Sequence, residues 1–257
     1  MVKTKTNWAL IIGGSQGLGL ATAGQLAIDG FNLLIIHRDF RSDLPKIETE
    51  FESLRQLGVQ VMSFNKDAVK VETITHVFDI IKTENLNIKV LVHSLAKGNL
   101  KPMIGENALN TQDFLQTIHA MGINFYEWSK ALVDSKCYSS TTKLIAFTSE
   151  GNQKVSQHYG AVSAAKATLE SIMRQMAVEF APLGFTANCI QAGMTDTQGF
   201  QKIPNAEKLK SFNIKRNPFH RLTQPEDVAK AVSLLVDDKA DWINGCVIPV
   251  DGGERLR

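Results

Sequence analysis

Short apolar runs alternate along the chain with longer stretches in which apolar residues recur every three or four positions. The runs "WALII", "FNLLIIH", "VQVMSF", "KVLVHS", "KLIAFTS", "FTANCI" and "CVIPV" are bounded by polar or glycine positions and predict seven strands. Between them, amphipathic periods beginning near Gly17, Ser42, Val71, Thr111, Tyr159 and Pro225 predict helices. Strand and helix in strict alternation imply an α/β fold, a doubly wound, parallel seven-stranded sheet with helices on both faces. The stretch from Gly193 to Pro225 has no clear period and is too long for a plain connection, so it is expected to be a binding loop or lid. No internal repeat or Pro/Ser-rich linker interrupts the pattern. One domain over residues 1–257 is expected, with a substrate-covering loop at about 194–224.

Composition narrows the function more than the fold. The 28 basic and 26 acidic side chains nearly cancel, leaving a formal charge of +2, so neither a nucleic acid nor a membrane surface is expected as a partner. Cys137, Cys189 and Cys246 form no CxxC, and the histidines have no metal-ligand spacing; neither a disulfide framework nor a metal site is expected. The apolar stretch Trp8 to Ile12 is too short for a signal sequence or a membrane span. A reducing cytoplasm is the expected location. The one short basic cluster, "IKRNPFHR", reads equally as a solvated loop and as a surface for an acidic partner.

In a doubly wound sheet, ligands bind where the strand order reverses, outside the carboxyl ends of the strands. Gly13, Ser94, Ser149 and Gly193 each fall just past a predicted strand, so four distant segments are expected to converge there. The first carries "GGSQGLG", Gly13 to Gly19, leading into a helix, where backbone N–H groups and the helix dipole suit a pyrophosphate. Its spacing is GxxxGxG rather than GxGxxG. The second strand ends in "IIHRD", where a carboxylate would accept from the ribose hydroxyls of a dinucleotide. His37 and Arg38 stand there instead, which favours the 2′-phosphate of NADPH; Asp39 keeps NADH open.

Taken in order, these pieces resemble the short-chain dehydrogenase/reductase family from Trp8 to Gly253. The matching residues are Gly13-xxx-Gly17-x-Gly19, Asp67-Ala68, Ser149, Lys166, Ala192-Gly193-xxx-Thr197, "QPEDVA" at 224–229 and "IPVDGG" at 248–253. Most members carry Asn-Asn-Ala-Gly after the fourth strand; this chain has "HSLAKG". Most place a tyrosine four residues before the lysine, a position held here by Val162. "HSLA", Tyr159-x6-Lys166, "SAAKATLE" and "QAGMTDT" are instead similar to the NADPH-using enoyl-acyl-carrier-protein reductases. Two residues depart from that branch. Ser149 stands where many enoyl reductases have a second tyrosine, and Asn124 resembles the helix asparagine that carbonyl-reducing relatives use in a proton relay.

The spacing of seven has a chemical reason. Hydride delivered to a carbonyl carbon puts charge on the adjacent oxygen, whereas delivery to the β carbon of an enoyl thioester puts it on the thioester oxygen, farther away. A helix rises about 1.5 Å and turns about 100° per residue, so a tyrosine at 159 rather than 162 moves roughly one turn along the groove while Lys166 stays in place. A nearby ammonium would lower the phenol's pKa and aid donation. The alternative is that Tyr159 and Lys166 are ordinary structural residues of a helix.

The resemblance therefore implies a Rossmann-type reductase that takes an acyl-carrier-protein or CoA-linked 2-enoyl thioester. Tyr159 would stabilise or protonate the enolate, Lys166 would hold the nicotinamide ribose and support Tyr159, and Ser149 would orient the thioester oxygen. Gly13, Ser15, Gln16, Gly17 and Leu18 would line the pyrophosphate, Arg38 the 2′-phosphate, and Asp67 and Ala68 the adenine. Ser94, Ala96, Gly193 and Thr195 would meet the far half of the cofactor. Lys215, Arg216 and Arg221 are candidates to meet an acidic carrier protein, and a homotetramer packed through helices near 111–137 and 159–181 is implied. A 3-oxoacyl or other carbonyl reductase, and a cofactor-binding protein without catalysis, remain as rivals.

Overall fold

The computed structural model describes residues 7–197 and 206–257. Seven strands, β1 (Asn7–Ile12), β2 (Asn32–His37), β3 (Val61–Asn65), β4 (Asn87–His93), β5 (Tyr138–Thr148), β6 (Phe185–Ala192) and β7 (Val247–Val250), form one sheet in the order β3-β2-β1-β4-β5-β6-β7. Every pairing is parallel. Among the described residues the helices are α1 (Gly17–Ile28), α2 (Leu44–Arg55), α3 (Val71–Thr83), α4 (Thr111–Ile118), α5 (Asn124–Ser135), α6 (Gly160–Glu179), α7 (Ala206–Arg216) and α8 (Pro225–Val236). A π-helical turn, His119–Ile123, joins α4 to α5.

Alternation within the strands builds two cores. Ala9 and Ile11 of β1 pack with Ala23 and Leu26 of α1, Phe51 of α2 and Val232 of α8. Leu10 and Ile12 face the other way, toward Val77 of α3, Trp128 of α5, and Leu169 and Met173 of α6. A strand covered on both faces has no polar side to present, so β1, β2 and β4 read as nearly unbroken apolar runs. The sheet order reverses between β1 and β4, which opens the crevice anticipated at their carboxyl ends. There, the Ser94 N–H donates to the Ile12 carbonyl at 2.8 Å and ties the two strand ends together.

Two expectations need revision. β5 begins at Tyr138, five residues before the apolar run at Lys143, because its pairing with β4 shifts register between Ile88 and Val90 and admits polar residues at the sheet margin. The aperiodic region 194–224 contains helix α7, whose sequence "AEKLKSFNIKR" buries little and so leaves a weak amphipathic signal. Residues 198–205 of that region lie outside those described.

Candidate active site

The first wall of the crevice is backbone. Gly13 follows β1 directly, Gln16 is the residue before α1, and Gly17 and Leu18 open that helix. α1 has no side-chain cap and no acidic residue in its first turn, so its first N–H groups and positive dipole end are available to an anion. Gly19 is required by packing: a Cβ there would strike the Gly13 carbonyl oxygen, so the helix can lie against the turn only without one. Ser94 and Ala96 follow β4, and Gly193 and Thr195 follow β6. All these expected cofactor residues therefore line the same edge of the sheet. The Thr195 hydroxyl is turned inward, donating to the Gly193 carbonyl at 2.9 Å, while its backbone bridges to Thr223.

The edge expected to meet adenosine is more crowded than the sequence implied. The exposed Arg38 donates from Nη1 to Asp67 Oδ2 at 2.7 Å, and Lys97 Nζ approaches the same oxygen at 3.4 Å. Burial pushes the Asp67 carboxyl up, but the Val69 N–H and the two cations outweigh it and hold the group below its ordinary range. Asp39 is drawn back into the protein: Oδ2 lies 2.8 Å from His37 Nδ1, and Oδ1 accepts from Gln16 Nε2 at 2.7 Å. Ala68 is buried, and its carbonyl accepts from Asn124 Nδ2 at 3.1 Å and Trp128 Nε1 at 3.0 Å.

The second wall is made of side chains. Ser149 Oγ and Tyr159 Oη lie 3.1 Å apart, joining the end of β5 to the start of α6. Tyr159 is the residue before α6 rather than within it, with φ −101° and ψ 5°, and His158 before it has φ 63°. The seven-residue spacing is therefore not a pure helical displacement, because its first step belongs to a turn. Gly151 makes room for the ring: a Cβ there would overlap the Tyr159 aromatic edge. Val162, at the four-residue spacing, is buried with Ala120, Met121 and Ala165 and lies against Gly98. The other two tyrosines lie elsewhere, Tyr126 on α5 and Tyr138 at the start of β5.

Lys166 is buried and donates to the Phe147 carbonyl at 2.6 Å. Burial lowers its pKa from 10.5 to about 8, against the opposing influence of Cys189 and Glu170. The Tyr159 hydroxyl moves the other way from the sequence expectation: burial raises its pKa, and the bond to Ser149 only partly opposes this. Lys166 directs its ammonium at a backbone carbonyl rather than at the phenol, so Tyr159 is a neutral O–H, a group suited to donating a proton. Beneath them His93 is fully buried and held neutral, its pKa lowered to about 3 by burial and by the Lys166 charge. Its Nε2–H donates to Asn124 Oδ1 at 3.3 Å, and Asn124 Nδ2 also donates to Glu127 at 2.8 Å. The side chain of Asn124 thus braces β4 against the loop after β3.

The cluster assigned to a carrier protein is largely occupied within the chain. Arg216 donates from Nη2 to both carboxylate oxygens of Glu150 at 2.7 Å and from Nε to the Glu254 carbonyl at 2.7 Å. It is a clasp that fastens α7 to the turn after Ser149 and to the C-terminal segment. Arg221 forms a two-pronged pair with Asp227, at 2.6 and 3.0 Å. Only Lys215 of the three remains exposed without such a partner among the described residues. A sequence shows charge but not its neighbours, and both arginines met acids that lie far along the chain or across a helix start. Among the described residues there is no cluster able to hold a metal ion and no helix long and apolar enough to cross a membrane. The three cysteines are unpaired.

Comparison with known proteins places the chain in a family. Residues 13–254 match the family described as Enoyl-(Acyl carrier protein) reductase. The 1-cyclohexenylcarbonyl-CoA reductase of Streptomyces collinus is 26% identical over 248 residues, covering 95% of this chain and 85% of that protein. A 3-oxoacyl-[acyl-carrier-protein] reductase of Aggregatibacter actinomycetemcomitans is 28% identical over 256 residues, covering 95% and 97%. The crystal structure of a short chain dehydrogenase from Burkholderia cenocepacia J2315 in complex with NADP shares the fold, with a TM-score of 0.84, 22% identity and coverage of 97% and 98%. The chain is accordingly an oxidoreductase of the short-chain dehydrogenase/reductase family, in its enoyl-(acyl carrier protein) reductase division.

Proposed function

We propose that the protein reduces the 2,3 double bond of an enoyl thioester, carried by acyl carrier protein or CoA, with NADPH. The observation that carries this reading is the position of the phenol. Tyr159 is the tyrosine at the carboxyl edge of the sheet and bonds Ser149, while Val162 fills the place from which a tyrosine would serve a carbonyl adjacent to the hydride. When bound, the nicotinamide supplies hydride to the β carbon. Tyr159 Oη, protonated because of its burial, donates toward the thioester oxygen, three bonds from that carbon. Ser149 Oγ keeps the hydroxyl aimed into the crevice. Lys166 holds the nicotinamide ribose and presents positive charge beneath the site.

Gly13, Ser15, Gln16, Gly17 and Leu18 would hold the pyrophosphate, and Ser94, Ala96, Gly193 and Thr195 the nicotinamide half. Arg38 can exchange Asp67 for a 2′-phosphate, with Lys97 beside it, which favours NADPH; the restraint of Asp39 by His37 and Gln16 removes the nearest carboxylate from competition. Residues 194–224 would cover the acyl chain, and Lys215 is the remaining cation of that region for an acidic carrier. Exposed apolar residues Leu115, Ile123, Tyr126 and Val178 on the α4–α6 surface support a homotetramer assembled through those helices.

The test is oxidation of NADPH with crotonyl thioester or acetoacetyl thioester. Turnover with the enoyl substrate is expected. Oxidation with the keto substrate alone would replace this reading by carbonyl reduction, which the 3-oxoacyl relative represents. Cofactor binding without turnover of either would leave only a nucleotide-binding role.

A further inference from the structure

Phe147 and Thr148, the last two residues of β5, and Ser149 just after them each make one bond to a different residue of the α6 region. The Phe147 carbonyl accepts from Lys166 at 2.6 Å, the Thr148 hydroxyl donates to Glu170 Oε1 at 2.7 Å, and the Ser149 hydroxyl meets Tyr159 at 3.1 Å. Two of these α6 partners belong to the proposed reaction. The third, Glu170, is assigned to nothing so far. It lies four residues after Lys166, hence on the same helix face, and is almost wholly buried at 6% exposure.

A buried ammonium needs a counter-charge, because a carbonyl dipole alone does not compensate for the loss of water. The ionisable groups facing Lys166 from the packed elements are His93 on β4, Cys189 on β6, and Glu170, with Arg174 one turn farther on α6 beside Cys189. His93 is neutral. The Cys189 thiol, pushed up to about 12 mainly by burial, is also uncharged where Lys166 titrates. Arg174 has the same sign as Lys166. Glu170 is the one carboxylate among these groups, on the helix face that carries Lys166 and fixed by its bond from Thr148.

We propose that Glu170 is the counter-ion of the Lys166 ammonium and, through Thr148, a positioning residue for the Ser149–Tyr159 pair. It does not reach the crevice itself. It acts on the site twice, holding the lysine charged and fixing the strand end from which Ser149 projects. The inference rests on the reading of Lys166 and Tyr159 as site residues, but its primary test does not need a substrate.

Lys166 can be titrated directly in the cofactor-free protein by NMR of ¹³Cε-labelled lysine, with its signal assigned from Lys166→Met. Glu170→Gln preserves size and the bond from Thr148 but removes the charge. Losing an anion favours the neutral amine, so the Lys166 midpoint should fall by at least about one unit, roughly a tenfold change in its protonation constant. A titration curve superimposable on the parent would overturn the proposal. Glu170→Asp, which keeps the charge but draws it back along the side chain, should shift the midpoint less; if the glutamine variant does not fold, an unmoved midpoint in the aspartate variant is equally fatal. Thr148→Val should leave the Lys166 midpoint in place yet lower kcat, with Thr148→Ser restoring it; no loss of kcat removes the positioning role. Should neither thioester be turned over, the function proposed above fails while the Lys166 titration still decides the role of Glu170.

Discussion

The two ends of the sheet handle buried lysines in opposite ways. Toward the amino edge, Lys143 on β5 is only 2% exposed and pairs with Asp241 at 2.5 Å, while the partly buried Lys89 on β4 pairs with Asp238 at 2.6 Å. At the carboxyl edge, Lys166 is almost as buried, yet among the described residues no carboxylate comes within ion-pair distance; it holds a backbone carbonyl, with Glu170 one turn away. Where only structure is at stake, the charge is closed off by a direct partner. Where the crevice lies, the ammonium is left incompletely compensated and its pKa falls to about 8. Incomplete compensation costs stability and leaves binding capacity for a ligand, a trade found at functional sites.

That contrast can be broken most severely at the phenol. Tyr159→Phe keeps the ring over Gly151 but removes the hydroxyl proposed as proton donor, and kcat for the enoyl thioester should fall about 100- to 10,000-fold while NADPH affinity, read by cofactor fluorescence, stays near the parent value. Comparable rates would exclude Tyr159 from the reaction. At the opposite edge, Asp241→Asn takes the direct partner from Lys143 while Asp241's own place is partly solvated, and should cost about 1 kcal/mol in denaturant unfolding with kcat unchanged, because no site residue is touched. Arg38→Ala should weaken NADPH about 10- to 100-fold and NADH much less, which a paired binding titration distinguishes.

The pH dependence sharpens the same comparison. The Lys166 pKa is depressed in the folded protein, so the ammonium is present below about pH 8 and lost above it. Cofactor affinity and kcat/KM should therefore decline as pH rises through about 8, approaching tenfold per unit beyond the midpoint. A profile flat to pH 10 would detach Lys166 from binding. The same depression means that folding stability rises with pH between about 8 and 10.5, where the unfolded chain binds a proton that the folded one does not. The smallest effect is expected at the clasp. Arg216→Met frees α7 from Glu150 and should raise KM a few-fold with little change in kcat, since Ser149 and Tyr159 keep their mutual bond.

Much of the architecture was legible because it rests on local periodicity. A strand covered by helices on both sides must be apolar at every position, and β1, β2 and β4 announce themselves that way. The glycine-rich turn is equally plain, since only a missing side chain lets α1 approach it. Tyr159 and Lys166 stood out through their spacing, although the helical arithmetic applied to that spacing treated a turn residue as part of the helix. Helix α7 escaped because most of its surface is solvated, and Glu170 because a glutamate on a helix ordinarily faces water. Its offset of four from Lys166 was the available signal.

By itself, the sequence determined which segments become strands and helices, where a glycine turn lets a helix start lie against a strand end, and which lysine and tyrosine share one stretch of chain. Those properties follow from residue volume, polarity and period, and they act over a few neighbours. Only the tertiary structure decided the electrostatics: that Arg216 and Arg221 face internal acids, that Asp39 is drawn toward His37 and Gln16, and that Lys166 is buried against a carbonyl. Charge interactions depend on distance and on the exclusion of water, and both are set by elements that meet only when the sheet closes.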